Sequence, residues 1–255
     1  MRMIGVLALG LGACGGAPSP TELTAGEAIN TAEADRLEAE FGGPGGLMAL
    51  FDNSPDATIA DALNAHDIGF ARHALLTDCG QTFPAADRNT WHAFDGEFYF
   101  IEANGRPNRA YKYLPPVVEA PRITGCQTTV GQWGDAEDSG NDYDGGHMIA
   151  SQLGGYGGRI NLVPQDLNFN RGNWAQIENK AADCGSLPDE RIFYYVRADY
   201  ADTTSLVPAT MNLTLENRDT DESVSFTFDN VDGGGPDGTA QRVEGVTFLE
   251  EQGCE

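Results

Sequence analysis

Apolar and polar residues alternate with a period of two in two parts of the chain. The first part covers 90–94, 97–103 and 108–114 and predicts a three-strand meander. Asp95-Gly96 and Asn104-Gly105 separate the runs, and both pairs tolerate the positive φ of a tight hairpin. Phe98, Phe100, Tyr111 and Tyr113 are the expected core side. The second part, 191–200, 210–217 and 223–229, predicts further antiparallel strands, and 243–248 predicts a last one. A thin apolar stripe at Leu23, Ile29, Leu37 and Phe41 marks helix-prone 21–41 as either a helix resting on the domain or a partly ordered stalk, broken by Gly42-Gly43-Pro44-Gly45-Gly46. Thr58-Ile59-Ala60-Asp61 has the form of a capping box, so a helix is expected over 60–76. His66 and His73 share a face of that helix but have no third ligand nearby, so both are structural or exposed. The acidic, glycine-containing stretch 131–143 predicts a solvated loop.

Between the two alternating parts lies the stretch DGGHMIASQLGGYGGRINLVPQDLNFNRGNWAQIE, residues 144–178. It predicts a short strand over 144–150, a glycine-rich loop over 154–158, a second strand over 160–164 and a helix over about 170–184. Gly145 and Gly146 lack a Cβ and admit close approach beside His147. Pro164 should end the second strand, and Asn170 is a good helix N-cap. Trp174 and Glu178 follow Asn170 at i+4 and i+8, along one side of the helix. A neutral imidazole takes a proton from water near pH 7. A carboxamide oxygen suits a hard cation that keeps most of its water, such as Mg²⁺. Together they are parts for metal-assisted phosphodiester hydrolysis. A Ca²⁺ loop starting at Asp142 is disfavoured, because its twelfth position is Leu153 and not Glu.

The same residues resemble the DNA/RNA non-specific endonucleases, whose active site is a ββα-metal (His-Me) finger. The matching positions are Asp144, Gly146, His147, Asn161, Asn170, Gly172, Trp174 and Glu178. The resemblance implies His147 as general base and Asn170 as the protein ligand of Mg²⁺ or Mn²⁺. It implies Glu178 as support for the metal-bound waters, Asn161 as a residue orienting the His region, and Asp144 as part of the motif. Many members carry Arg where this chain has Gly145, which leaves the cation on the scissile phosphate to be found. Arg106, Arg109 and Arg171 are the candidates. DNA and RNA are the implied substrates. The rival reading is a nuclease-like surface lipoprotein that binds nucleic acid or a protein partner without cutting.

Composition changes this picture in two ways. The chain of 255 residues holds 15 Lys and Arg against 39 Asp and Glu, a net charge of −24. A nucleic-acid enzyme is ordinarily basic. Either the acids lie away from the cleft, with Arg159 and Arg171 in a local positive strip, or the acidic surface serves solubility in salt. The N-terminus MRMIGVLALGLGACGG pairs a short basic start with a short apolar run and a lipobox-like Leu11-Gly12-Ala13-Cys14. Residues 1–13 are then a lipoprotein signal peptide and Cys14 carries a lipid, placing an exported protein at the outer membrane or cell surface. Cys79, Cys126, Cys184 and Cys254 then suggest two disulfides in any of three pairings. No P-loop or G-x-S-x-G elbow occurs. The expected architecture is one α+β domain over 56–255, an antiparallel sheet with a ββα-metal finger. A tether and helical N-terminal extension over 14–55 would precede it.

Overall fold

The computed structural model describes residues 25–72 and 79–255; the lipobox with Cys14, Leu23 and His73 lie outside them. Helices α1 (Ala25–Glu40), α2 (Pro44–Asn53) and α3 (Asp56–Asn64) come first. They are followed by β1 (Gly69–Arg72), β2 (Thr90–Phe94), β3 (Glu97–Ile101) and β4 (Pro107–Leu114). Next are α4 (Thr124–Glu137), β5 (Tyr143–His147) and β6 (Leu162–Asp166). The helical stretch consists of α5 (Leu167–Phe169), a π turn (Asn170–Trp174) and α6 (Ala175–Ala182). The chain closes with β7 (Ile192–Tyr200), β8 (Pro208–Asn217), β9 (Glu222–Asp229) and α7 (Gly238–Glu251). Among the described residues, seven strands form one sheet in the order β1-β2-β3-β4-β7-β8-β9, while β5 and β6 form a separate ribbon. The large sheet is antiparallel except at the β1–β2 edge. The protein is of the α+β class.

The period of two sends the side chains of the central strands β3, β4 and β7 to two different cores. Tyr194 and Val196 of β7 and Tyr99 and Ile101 of β3 face a core shared with Trp174 and Ile177. Phe193 and Tyr195, with Phe98, Phe100, Tyr111 and Tyr113, face a second core closed by Leu37, Leu47, Phe51 and Leu63 of α1, α2 and α3. The layers are therefore the N-terminal helices, the sheet, and the ribbon with α6 and α7. Cys79 pairs with Cys126 and Cys184 with Cys254, across 47 and 70 residues of sequence. Each closure removes on the order of 4 kcal/mol of unfolded-chain entropy in the loop-closure picture.

Several expectations need correction. The helix expected over 60–76 ends at Asn64, with Thr58 inside α3 and Pro55 at the N-cap. Asp67 then turns with φ 55° into β1. His66, past the helix end, pairs with Glu33 and Glu40 of α1. The stretch 131–143 is no loop until Glu137: Gly131 and Gly134 lie inside α4, where they let the helix pack on Tyr143. A Cβ on Gly131 would stand 2.6 Å from the Tyr143 carbonyl oxygen. Residues 243–248 belong to helix α7, which seats Phe248 and Leu249 in the core and rests Gly245 against Phe226 and Ile177. Pro164 does not end its strand: it pairs with Gly145 in mid-ribbon. Its missing N–H costs nothing there, because among the described residues β6 has a ladder partner on one side only.

Candidate active site

The ribbon fixes the start of the site. Gly145 faces Pro164, Gly146 faces Val163 and His147 faces Leu162 across the ladder. Asn161 then locks the chain just after the histidine. Its Oδ1 accepts from the Ile149 N–H at 2.9 Å, and its Nδ2 donates to the carbonyls of Ile149 at 2.7 Å and Tyr156 at 2.9 Å. The Met148 N–H donates to the Asn161 carbonyl at 2.9 Å. A fully buried carboxamide with these bonds fixes the backbone that carries the imidazole.

The helical side is set by Asp166 and not by Asn170. The Asp166 carboxylate accepts from the N–H groups of Asn168 at 3.0 Å and Phe169 at 2.9 Å and is the true N-cap. Asn230 ties down the other edge of β6: its Nδ2 donates to the Pro164 carbonyl at 3.0 Å and its Oδ1 accepts from the Asp166 N–H at 2.8 Å. Asn170 therefore opens the π turn one helical turn further on. Gly172 departs from helical dihedrals within that turn, at φ −104° and ψ −107°. Such a bulge re-aims the residues beside it. Here Asn170 Nδ2 donates to Asp144 Oδ2 at 3.2 Å, and Arg171 makes a two-pronged pair with the same carboxylate at 2.7 and 2.8 Å. Asp144 thus positions both residues.

His147, Asn170 and Glu178 line one cavity of about 180 Å³, together with Arg122, Arg171 and Gln152. Arg122, Asn170 and Arg171 also line a wider opening of about 670 Å³ that reaches Asp144 and Asp135. Burial lowers the His147 imidazole to about 4, and the Arg122 guanidinium acts in the same direction. The ring is therefore neutral at pH 7. Its Nε2 is buried and has no hydrogen-bond partner among the described residues. Burial pushes the Glu178 carboxyl up to about 8, while the Trp174 indole N–H, donating at 3.0 Å, and Arg122 pull it down.

The positions chosen for phosphate do not all reach this cleft. Arg106 is buried, pairs with Glu102, donates to the carbonyls of Asp202 and Ser205, and stacks on Tyr200. Arg109 is fully buried against Glu38 and Asp35 of α1. Arg109 belongs to β4 and Arg106 immediately precedes it; β4 has strands on either side and packed layers on both faces, so each guanidinium is taken up by partners inside the fold. Arg159 is also interior, donating to the carbonyls of Gly80, Gln81 and Leu162. Of the cations proposed, Arg171 alone is exposed at the cleft. Arg122 was not anticipated. It lies in the extended segment before α4, and its Nε donates to Ser151 Oγ at 2.7 Å. No local pattern marks it, because α4 brings it to the site from 25 residues upstream of His147.

The donor set fits a hydrated hard cation. Among the described residues no three His, Cys, Asp or Glu side chains cluster to hold a metal. An ion here must draw its ligands mainly from water and one amide oxygen, as Mg²⁺ does. The small cavity has room for several waters, each occupying roughly 30 Å³.

A strand pair followed by a helix, with an imidazole, a carboxamide and a carboxylate on one cavity, defines a ββα-finger phosphodiester hydrolase. The profile of the DNA/RNA non-specific endonuclease family matches residues 88–219, just over half of the chain, and the chain belongs to that family. It is an endonuclease. Two solved structures of NucA from Streptococcus agalactiae are similar, one with no metal and one with magnesium ion bound. They are 18% and 20% identical with TM-scores of 0.40 and 0.40. The alignments cover 54% and 53% of this chain and 71% and 70% of those. No curated protein matches the sequence.

Glu178 gives a test that needs no substrate. Below about 4.5, folded and unfolded chains both keep its proton. Between there and about 8 the unfolded chain releases the proton and the folded chain retains it, so stability falls as pH rises. Glu178→Gln is expected to melt higher than the parent at pH 8.5 without metal and at the same temperature at pH 4.5. A melting difference independent of pH would contradict the burial argument.

Proposed function

We propose that the protein is an exported, lipid-anchored nuclease that cuts DNA and RNA without sequence preference, with His147 as general base and Mg²⁺ or Mn²⁺ held by Asn170. The observation that carries this reading is that the neutral imidazole of His147 lines the same cavity as Asn170 and Glu178. The ion, when bound, stabilises negative charge on the phosphate and the leaving oxygen. His147 accepts the proton of the attacking water on its imidazole. Asn161 fixes the imidazole's backbone, and Glu178 orients water at the cavity floor. Arg122 and Arg171 face the phosphate oxygens and take the role that Gly145 leaves vacant. Contacts of this kind address the sugar-phosphate backbone, so base identity matters little.

Two disulfides support an oxidising compartment, in keeping with export. A signal peptide over 1–13 and a lipid on Cys14 then hold the protein at the outer membrane or cell surface. Purified protein is expected to nick supercoiled plasmid and degrade single-stranded RNA with Mg²⁺ or Mn²⁺, and to stop on addition of EDTA. Undiminished cutting in excess chelator would remove the metal from this account.

A further inference from the structure

The glycine-rich loop 154–158 meets the site described so far through the Tyr156 carbonyl, which accepts from Asn161 Nδ2, while its side chains take no part there. Tyr156 stands at its centre. Gly158 lets the ring settle on the chain, since a Cβ there would lie 2.7 Å from Tyr156 Cζ. Gly157 brings the loop against the segment before α4, where a Cβ would lie 3.0 Å from Arg122 Cα. Arg122 and Gly157 form an isolated parallel bridge at this point. The Tyr156 N–H donates to Glu97 Oε2 at 3.1 Å.

Tyr156, Ala120, Pro121 and Ile123 enclose a largely apolar pocket of about 350 Å³, with the carboxylates of Asp95 and Glu97 on its wall. The extended backbone at 121–123 alternates its side chains. Pro121 and Ile123 line this pocket while Arg122 lines the cleft with His147. One ridge of chain thus separates a phosphate-facing cation from an aromatic-walled pocket.

We infer that this pocket receives an unstacked nucleobase of the substrate, next to the strand whose phosphate faces Arg122. The inference rests on the nuclease reading above. A phosphate is a poor occupant, because the wall is largely apolar and carries the Asp95 carboxylate, while Glu97 is paired with Lys112 behind it. A flat base suits it: an aromatic ring supplies a stacking face for any base, and the exposed Asp95 carboxylate can accept from a base amino group. A paired base inside a duplex cannot enter without unstacking, so single strands are the preferred substrate.

The test uses the full chain with Mg²⁺ and an end-labelled single-stranded oligonucleotide carrying one abasic nucleotide, with cut sites mapped by gel. Base stacking on one aromatic side chain predicts a roughly five- to hundredfold drop in cutting at one fixed offset from the abasic position. Tyr156→Ala should erase that notch while cutting the bond at that offset as fast as the parent does. Tyr156→Phe should keep it. Should the alanine variant fold poorly, Tyr156→Leu preserves bulk over Gly158 without the ring and should also lose the notch. A merely structural Tyr156 would slow cutting at every bond alike. Even cutting along the abasic strand by the parent protein overturns the pocket and leaves the nuclease intact. No cutting of any strand removes both.

Discussion

His147→Ala is expected to lose roughly two to four orders of magnitude in cleavage rate, the usual worth of a positioned general base. Its fold should survive. The imidazole lies at the cavity edge, its Nε2 makes no bond to other described residues, and Asn161 holds the neighbouring backbone through main-chain contacts of Ile149 and Tyr156. Circular dichroism and melting temperature close to the parent, with plasmid nicking gone, is the predicted outcome. Nicking within tenfold of the parent would assign the proton to another group. The pH profile adds a second reading of the same residue. With the imidazole lowered to about 4, the acidic limb of kcat/KM for this proton should lie below the ordinary histidine value of 6.5. Arg122 contributes to that lowering, so Arg122→Gln should move the limb upward and also slow cleavage.

The grouping of the candidate site residues was legible because it is local. Asp144, His147, Asn161, Asn170 and Glu178 fall within one strand-loop-strand-helix unit, whose spacing the backbone geometry dictates. The strands β8 and β9 were legible because alternation survives where one face of a sheet meets the core and the other meets solvent, and β7 because its run is apolar nearly throughout. What could not be read are the contacts made by distant elements. Arg106 and Arg109 look like exposed strand charges until α1 and the 202–205 loop are laid over β4 and its neighbours. Helix α4 was hidden by Gly131 and Gly134, which locally signal a break and here serve a close helix–strand contact. Arg122 reaches the cleft only because α4 lies across β5 and β6, with Cys126 tied to Cys79 beside it.

That contact explains why glycine, and no arginine, precedes Gly146-His147. A Cβ on Gly145 would overlap the Gln127 carbonyl oxygen and stand 2.6 Å from the Gln127 Cα. Both atoms are α4 backbone, which cannot rotate aside as a side chain can. Gly131 makes the reciprocal approach, with its Cβ position 3.2 Å from the Gly145 nitrogen. Helix and strand therefore touch main chain to main chain, and the room an arginine would need is filled by α4. Gly145→Ala is expected to cost about 1–3 kcal/mol or more, the range for overpacking a close-packed interior. For a chain of this size that lowers the melting temperature by several degrees. Gly145→Arg should be worse still. It would not rescue the cleft, because pushing α4 off the ribbon carries Arg122 and Gln127 away from Asn170. Denaturant titration and nicking assays on both variants check this. A stable, fully active Gly145→Arg protein would mean that α4 yields freely, and that Arg122 is not held in place by the helix behind it.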